Sequence, residues 1–325
     1  MNIHLFFRKK REGVNSMETV FENIDNHLLH HTNICLPQSG ASIKTIVDNI
    51  RYARQHRTDV NHISGEVHYI AIGTGRNTVL TIHDVGSAMK GGLLSRVLVK
   101  TLWFWIPALI VKRITVISEF TKKELSALLP FAKHKIIVIH NAFCPAVTYK
   151  ENTFNGDCPV ILHMGTKENK NLERTIEALK NIKCHLNVVG KLSDKQKVLL
   201  EESGISYENH YDVAYSQIVE FYQSSDIVSF PSTYEGFGVP ILEANAAGRP
   251  IITGDIEVLH EVAEEAACFV NPYEVKSIRT GFERVIKDKV YRQSLVEKGF
   301  ENIKRFAPEV IAEKYNSVYK EIAQS

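Results

Sequence analysis

The segment that most constrains this chain is residues 226–254, DIVSFPSTYEGFGVPILEANAAGRPIITG. A short apolar run, a polar corner, two glycines around a phenylalanine, an apolar helical stretch and a second apolar run follow one another. That order reads as one strand–loop–helix–strand unit of a parallel sheet. Pro240 suits the first helical turn, where its missing N–H costs nothing, and Gly248 suits the position after the last turn. The backbone N–H groups of residues 236–239 then collect at the positive end of a helix, a ready site for an anion such as a diphosphate. Two carboxylates bracket the loop, Glu235 and Glu243. A carboxylate beside an anion repels it, so these two need another partner. An ionised carboxylate only accepts hydrogen bonds, and vicinal hydroxyls would supply donors. A diphosphate beside acceptors for a polyol describes a nucleotide sugar.

The rest of the chain repeats the alternation. Apolar runs at 2–7, 33–37, 59–64, 77–86, 113–118 and 135–143 alternate with helical patterns at 16–29, 41–56, 92–111 and 119–129. Further runs at 159–165, 185–190, 226–231 and 250–254 alternate with helices at 172–182, 193–204, 213–225 and 258–267, and three helices follow at 274–287, 289–304 and 308–323. Continuous apolar strands indicate burial on both faces, hence α/β layers around parallel, doubly wound sheets. The 325 residues suit two domains. The polar stretch 145–158 reads as the linker, giving an N-terminal domain 1–150, a C-terminal domain 151–307 and a final helix 308–325 that crosses back to the first domain.

Composition excludes several classes. A net charge of +2 with no basic block interleaved with aromatics argues against nucleic acid. Five scattered cysteines without a C-x-x-C pair favour free thiols in a reducing, cytoplasmic compartment over disulfides or zinc. His27, His30 and His31 have no carboxylate partner in the pattern and read as a solvated helix end. Gly73 and Gly75 in GTGRN precede a strand and lack a third glycine, so they are no dinucleotide fingerprint. No signal peptide is evident. The stretch 102–111, LWFWIPALIV, is too short to span a bilayer; it reads as a core-facing helix or as one that also touches a membrane surface through its tryptophans and flanking cations.

In an open α/β sheet, ligands gather beyond the carboxyl ends of the strands. His83 and Asp84, Ser118 and Glu119, Asn141, and the corner Gly165–Asn171 all fall there. Ser118 also suits a helix cap, and His83 could be held by backbone or could face a substrate. Lys170 leads directly into a helix, where a cation opposes the dipole; a phosphate ligand would explain it. With a lysine and a helix end to neutralise a diphosphate, and no D-x-D pair, no metal is needed.

These segments resemble the GT-B glycosyltransferases of the large retaining family 4. Glu235-Gly-Phe-Gly-Val-Pro-Ile-Leu-Glu243 is similar to that family's paired-glutamate motif, and ILHMGTKENKNLERTIEAL to its phosphate-binding segment, with Thr166 where an arginine is usual. In the first half, Gly13 alone stands for a double-glycine loop, and TIHDVG, VISEFTKKEL and VIHNAF are similar to family segments. The resemblance implies two Rossmann-like domains facing an interdomain cleft, the N-terminal one on the acceptor side and the C-terminal one binding a nucleoside-diphosphate-sugar donor. Glu243 would hold the ribose, and Glu235 the sugar hydroxyls. Lys170 with the N–H groups of Phe237, Gly238 and Val239 would hold the diphosphate, and Gly13, Gly165, Thr166 and Gly236 would border the donor. His83 would face the reacting sugar. The acceptor would be a glycan or a lipid-linked glycan, in surface polysaccharide or glycolipid synthesis at the cytoplasmic face of a membrane, with retention and without a cofactor or metal. A sugar-nucleotide epimerase and a non-catalytic subunit of the same fold are the alternatives.

Overall fold

The computed structural model describes residues 1–9, 16–86 and 92–324. The chain divides into two compact units, Met1–Ala142 with Pro308–Ser325, and Phe143–Ala307.

Among its described residues the first unit carries six parallel strands, β1 (Ile3–Phe7), β2 (Thr32–Cys35), β3 (Val60–Ile63), β4 (Thr78–Ile82), β5 (Arg113–Val116) and β6 (Ile136–Val138), in the order β2-β1-β3-β4-β5-β6. Neighbouring residues of one strand serve opposite cores. Phe6, Ile63, Leu80 and Ile82 pack on one side with Ala53, Tyr69, Phe104 and Ala108. Ile3, Leu5, Val60 and Val79 pack on the other with Phe21, Tyr315 and Tyr319. This period-two division accounts for the unbroken apolar strands. The second face is closed by the last helix, Pro308–Ala323, which buries Ile311, Tyr315, Tyr319 and Ile322. Burying an apolar side chain of that size contributes roughly 1.5–3 kcal/mol, so this helix is integral to the first unit. A polar thread runs through the same layer: the imidazole of His62 bonds the Tyr319 hydroxyl at 2.6 Å and the Thr81 hydroxyl at 2.7 Å, and Thr81 meets Thr115 at 2.6 Å. Burial lowers the His62 pKa to about 3, so it is neutral in the folded unit.

The second unit carries β7 (Val160–Met164), β8 (His185–Val189), β9 (Ser206–His210), β10 (Ile227–Phe230), β11 (Ile251–Gly254) and β12 (Cys268–Val270), parallel and in the order β12-β11-β10-β7-β8-β9. The chain winds outward from β7 to one edge, then returns to β10 and winds to the other. The switch point therefore lies between β7 and β10.

Three sequence expectations need correction. The boundary falls between Ala142 and Phe143, and the polar stretch 145–158 belongs to the second unit. Buried Asp226 accepts bonds from the Asn152 amide and the Asn155 N–H, and buried Arg249 donates to the Lys150 carbonyl. The stretch is polar because it satisfies these buried charges. The strand Ser206–His210 has no counterpart in the sequence reading, because it is a half-exposed edge strand with little apolar content. The helix expected at 16–29 stops at Glu22, and a short 3-10 turn follows at Asp25–His27.

Several helix caps form where the residue types predict them. Ser42, Ser118 and Ser193 cap their helices through hydroxyls that accept backbone N–H bonds. Gly248 ends its helix with φ of 70°. Gly73 lies against the helix Ile43–Gln55, where a Cβ would stand 2.3 Å from the Ile50 carbonyl oxygen, so its role is packing. His31 bonds Asp25 at 2.9 Å, and among the described residues no cluster of His, Cys, Asp and Glu is placed to hold a metal ion. Residues 93–110 are helical throughout, with a π-helical segment at Lys100–Trp105. Phe104, Pro107 and Ala108 are buried while Val97, Leu98, Trp105 and Leu109 are exposed. Among the described residues no helix is long and apolar enough to cross a membrane.

Candidate functional site

The loops that leave β7 and β10 meet at the switch point of the second sheet, where open α/β sheets bind their ligands. Asn171 ties them together. It is buried with φ of 65°, a strained conformation that asparagine tolerates better than most residues. Its amide donates to the Pro231 carbonyl at 2.9 Å and to the Pro272 carbonyl at 2.6 Å. The Thr233 N–H donates to the Asn169 carbonyl at 2.9 Å, and the Asn169 amide returns a bond to the Tyr234 carbonyl at 2.8 Å.

On this frame the Lys170 ammonium donates to Glu235 Oε1 at 2.6 Å, both side chains being mostly buried, and it also stands 4.7 Å from the centre of the Phe230 ring. Gly165 makes the approach possible. Its φ is 91°, and a Cβ there would lie 2.8 Å from Lys170 Cγ. An ammonium has three donors, so the bond to Glu235 occupies one and two remain for other acceptors on the same face. Directly beneath, His163 is fully buried; burial first, and the Lys170 charge second, lower its pKa to about 3. A second permanent cation is thereby avoided at this corner.

The glycine loop continues from Glu235. Gly236 is half-buried, while Phe237 is buried and its ring meets Phe306 edge-on at 5.9 Å. Gly238 caps the helix Val239–Ala247 with φ of 120°, where a Cβ would meet Leu259 at 2.8 Å. The two glycines are thus not equivalent: Gly238 is required by its backbone and by contact. Thr166 turns away from Lys170 and donates to the Lys191 carbonyl at 2.7 Å, and Lys167 is exposed.

Glu243 occupies a different environment from Glu235. It lies in the second turn of its helix, is buried, and accepts a bond from the Tyr215 hydroxyl at 2.7 Å. Burial raises its pKa, and the phenols of Tyr215 and Tyr222 act against that rise. Tyr215 was not legible in the sequence; it starts the helix Tyr215–Ser224 with nothing in its neighbours to suggest a polar partner 28 positions on.

Of the remaining expected residues, Gly13 lies outside those described. His83 belongs to the first unit, half-buried, with Nε2 at 3.2 Å from the Ser64 carbonyl oxygen. Asp84 accepts from the Gly86 N–H at 2.9 Å, and Ser118 is a helix cap. His83 and Asp84 border a cavity of about 440 Å³ within the first unit, whose walls also include Arg8, Glu66, Tyr69 and Trp103. These last four were not singled out by the sequence.

Comparison with known proteins agrees with both halves. The family described as glycosyl transferases group 1 matches residues 148–302, and that described as glycosyltransferase family 4 matches residues 12–146. An uncharacterised glycosyltransferase of Methanocaldococcus jannaschii is 25% identical over 232 residues, covering 64% of this chain and 60% of the relative. The O-antigen chain mannosyltransferase RfbU of Salmonella typhimurium is 31% identical over 107 residues, covering 32% of this chain and 30% of the relative. The chain thus spans less than two thirds of the length of these relatives. Among solved structures, Anabaena HepE in complex with UDP-glucose superposes with a TM-score of 0.74 at 15% identity, over the whole of both chains.

Proposed function

Because the chain belongs to family 4 of the GT-B glycosyltransferases, we propose that it transfers a sugar, with retention of anomeric configuration, from a nucleoside-diphosphate sugar to a glycan or lipid-linked glycan. The observation that carries this reading is the Lys170–Glu235 pair at the switch point of the second sheet, fixed by Asn171 and leading through Gly236 and Gly238 into a helix N-terminus.

Each residue has a task in this reading. The two further donors of Lys170 and the N–H groups of Phe237, Gly238 and Val239 receive the diphosphate. They stabilise the charge that develops on it as the glycosidic bond breaks. Glu235, acceptor-only, orients both Lys170 and the hydroxyls of the sugar. Glu243 accepts from the ribose hydroxyls, and the Tyr215 phenol, which donates to it, works against the rise in pKa that burial causes. Gly165 and Thr166 border the phosphates, and Gly13 is assigned to the donor by the resemblance alone. His83 is assigned to the transferred sugar. The departing phosphate takes the acceptor's proton, so no separate base and no metal ion is assigned.

The family's relatives in O-antigen assembly support a role in surface polysaccharide or glycolipid synthesis. Acceptors of that kind sit on membranes, and the exposed Val97, Leu98, Trp105 and Leu109 beside Arg96 and Lys100 suit peripheral contact with an anionic surface. Screening UDP-, GDP- and ADP-sugars for thermal stabilisation and for sugar transfer tests the donor assignment. A ligand at 100 times its dissociation constant adds about 2.7 kcal/mol, so one nucleotide class is expected to raise the melting temperature. If none does, and none is turned over, the reading fails.

A further inference from the structure

We propose that Tyr215 and Tyr222 are positioning residues of the donor site, a pair of phenols that hold Glu243 as an acceptor aimed at the two vicinal hydroxyls of the donor's ribose. This rests on the assignment of Glu243 to the ribose under the glycosyl-transfer reading.

The two phenols stand on one face of a helix. Tyr215 opens the helix Tyr215–Ser224, and Tyr222 follows close to two full turns later. Tyr215 is half-buried, and Tyr222 is fully buried. The Tyr215 hydroxyl donates to Glu243 Oε1 at 2.7 Å, and the same hydroxyl meets the thiol of buried Cys144. The Tyr222 hydroxyl bears on the same carboxylate, yet it forms no hydrogen bond of normal geometry.

A buried hydroxyl without a partner costs stability, and a phenylalanine would fill the same space without that cost. Packing alone therefore does not account for Tyr222. The chemistry of the carboxylate does. An ionised carboxylate has about four acceptor sites and no donor. Two phenols and two vicinal hydroxyls make up four donors, so Glu243 is saturated only when all of them are present. Binding of the ribose turns the carboxylate and closes the Tyr222 bond, and the stability withheld by the unpartnered hydroxyl is recovered as donor affinity.

Phenols suit this task better than cations. Glu235 is tied by an ammonium, that of Lys170, at 2.6 Å. Glu243 is tied by neutral donors, which orient it and leave its charge for the hydroxyls of the ligand. Burial first, and the Glu243 charge second, raise the pKa of both phenols, so each keeps its proton beside the carboxylate and acts as a donor. The helix field does not replace them, because Glu243 lies in the second turn of the helix Val239–Ala247 and the field falls off within the first.

Tyr215→Phe and Tyr222→Phe keep the ring and remove only the hydroxyl, and the melting temperatures of the free variants separate folding from binding. Calorimetric titration with UDP, GDP and ADP, and with their 2′-deoxy counterparts, reads the contact with the ribose. The unsubstituted chain is expected to bind at least one ribonucleotide about tenfold more tightly than its 2′-deoxy counterpart. Tyr222→Phe, with a melting temperature equal to or above that of the unsubstituted chain, is expected to weaken that ribonucleotide about tenfold and its 2′-deoxy counterpart by a smaller factor. Tyr215→Phe is expected to narrow the preference for ribose in the same way. In transfer assays both variants should raise KM for the nucleotide sugar and leave kcat at saturating donor unchanged. Ribonucleotide binding that is unaltered in both variants, or weakened equally for ribose and deoxyribose, overturns the proposal while the donor reading stands. If the unsubstituted chain binds none of these nucleotides and transfers no sugar, the donor reading itself fails and the proposal falls with it.

Discussion

The switch points of the two sheets are built in different ways. In the second unit, the site is made by two short loops and a helix N-terminus. Its geometry is fixed by backbone requirements: φ of 91° at Gly165, 65° at Asn171 and 120° at Gly238. In the first unit the switch point borders a cavity whose walls are tied by side chains: Arg8 to the Glu66 carboxylate, the Trp103 indole to the Glu66 carbonyl, His68 to the Trp103 carbonyl and Asn49 to the Tyr69 hydroxyl. The difference teaches where specificity can vary. A cradle fixed by backbone angles tolerates few substitutions, whereas a cavity held by side chains can be altered one residue at a time.

The sharpest break of the comparison is Lys170→Ala. If the second switch point stabilises the leaving diphosphate, loss of one charged donor is expected to lower kcat by roughly 10²–10³, with a smaller change in donor affinity. Steady-state transfer kinetics would measure both, and an unchanged kcat would remove Lys170 from the reaction. Glu243→Ala comes next. Hydrogen bonds to a charged group contribute about 1.5–3 kcal/mol, so donor binding by calorimetry is expected to weaken roughly 10–100-fold, with kcat at saturating donor little affected.

A subtler test concerns the backbone. Gly165→Ala puts a Cβ 2.8 Å from Lys170 Cγ at a positive φ, and a strain of about 1–3 kcal/mol is expected. Thermal denaturation should show it, together with a partial loss of kcat as Lys170 is pushed from Glu235. Equal stability and activity would mean that the cradle is more forgiving than its angles indicate.

The smallest effect expected separates the units by acidity. His62 and His68 in the first unit and His163 in the second have pKa values lowered by burial to about 3, 4 and 3. Each is neutral when folded and takes a proton near pH 6.5 when unfolded. Stability from this source is complete above pH 6.5 and declines as pH falls toward the folded-state values. At pH 6 the loss is roughly 0.8 kcal/mol per histidine, so the first unit, with two, should soften first. Hydrogen exchange of β3 and β7 amides between pH 7.5 and pH 6, corrected for intrinsic rates, would detect this, and equal loss in both would refute it.

The same contrast explains what could be read in advance. Glu235, Gly236, Gly238 and Glu243 lie within nine consecutive residues, and glycine at fixed offsets has few physical explanations, so the strand–loop–helix corner of the second unit was legible. Arg8, Glu66 and Trp103 are separated by up to 95 positions, and only the fold brings them together. Asp226 and Arg249 hid the true boundary in the same way, by drawing the polar stretch 145–158 into the second unit. The π-helical segment left no trace in a pattern that reads as ordinary helix from 92 to 111. Local backbone demands are written in neighbouring residues; cavities and buried charge networks are written in distant ones.

The helix Pro308–Ala323 has a consequence for how the protein is made. Ribosomal synthesis releases the first 142 residues long before this helix, and the whole second unit is threaded out in between. During that interval Ile3, Leu5, Phe21, Val60 and Val79 lack the partner that later covers them, and His62 lacks the Tyr319 hydroxyl. The nascent first unit therefore leaves the ribosome with one sheet face open. Domains generally fold in order of synthesis, but here the earliest to appear is the last to be completed. That face stays uncovered for as long as residues 143–307 take to be translated.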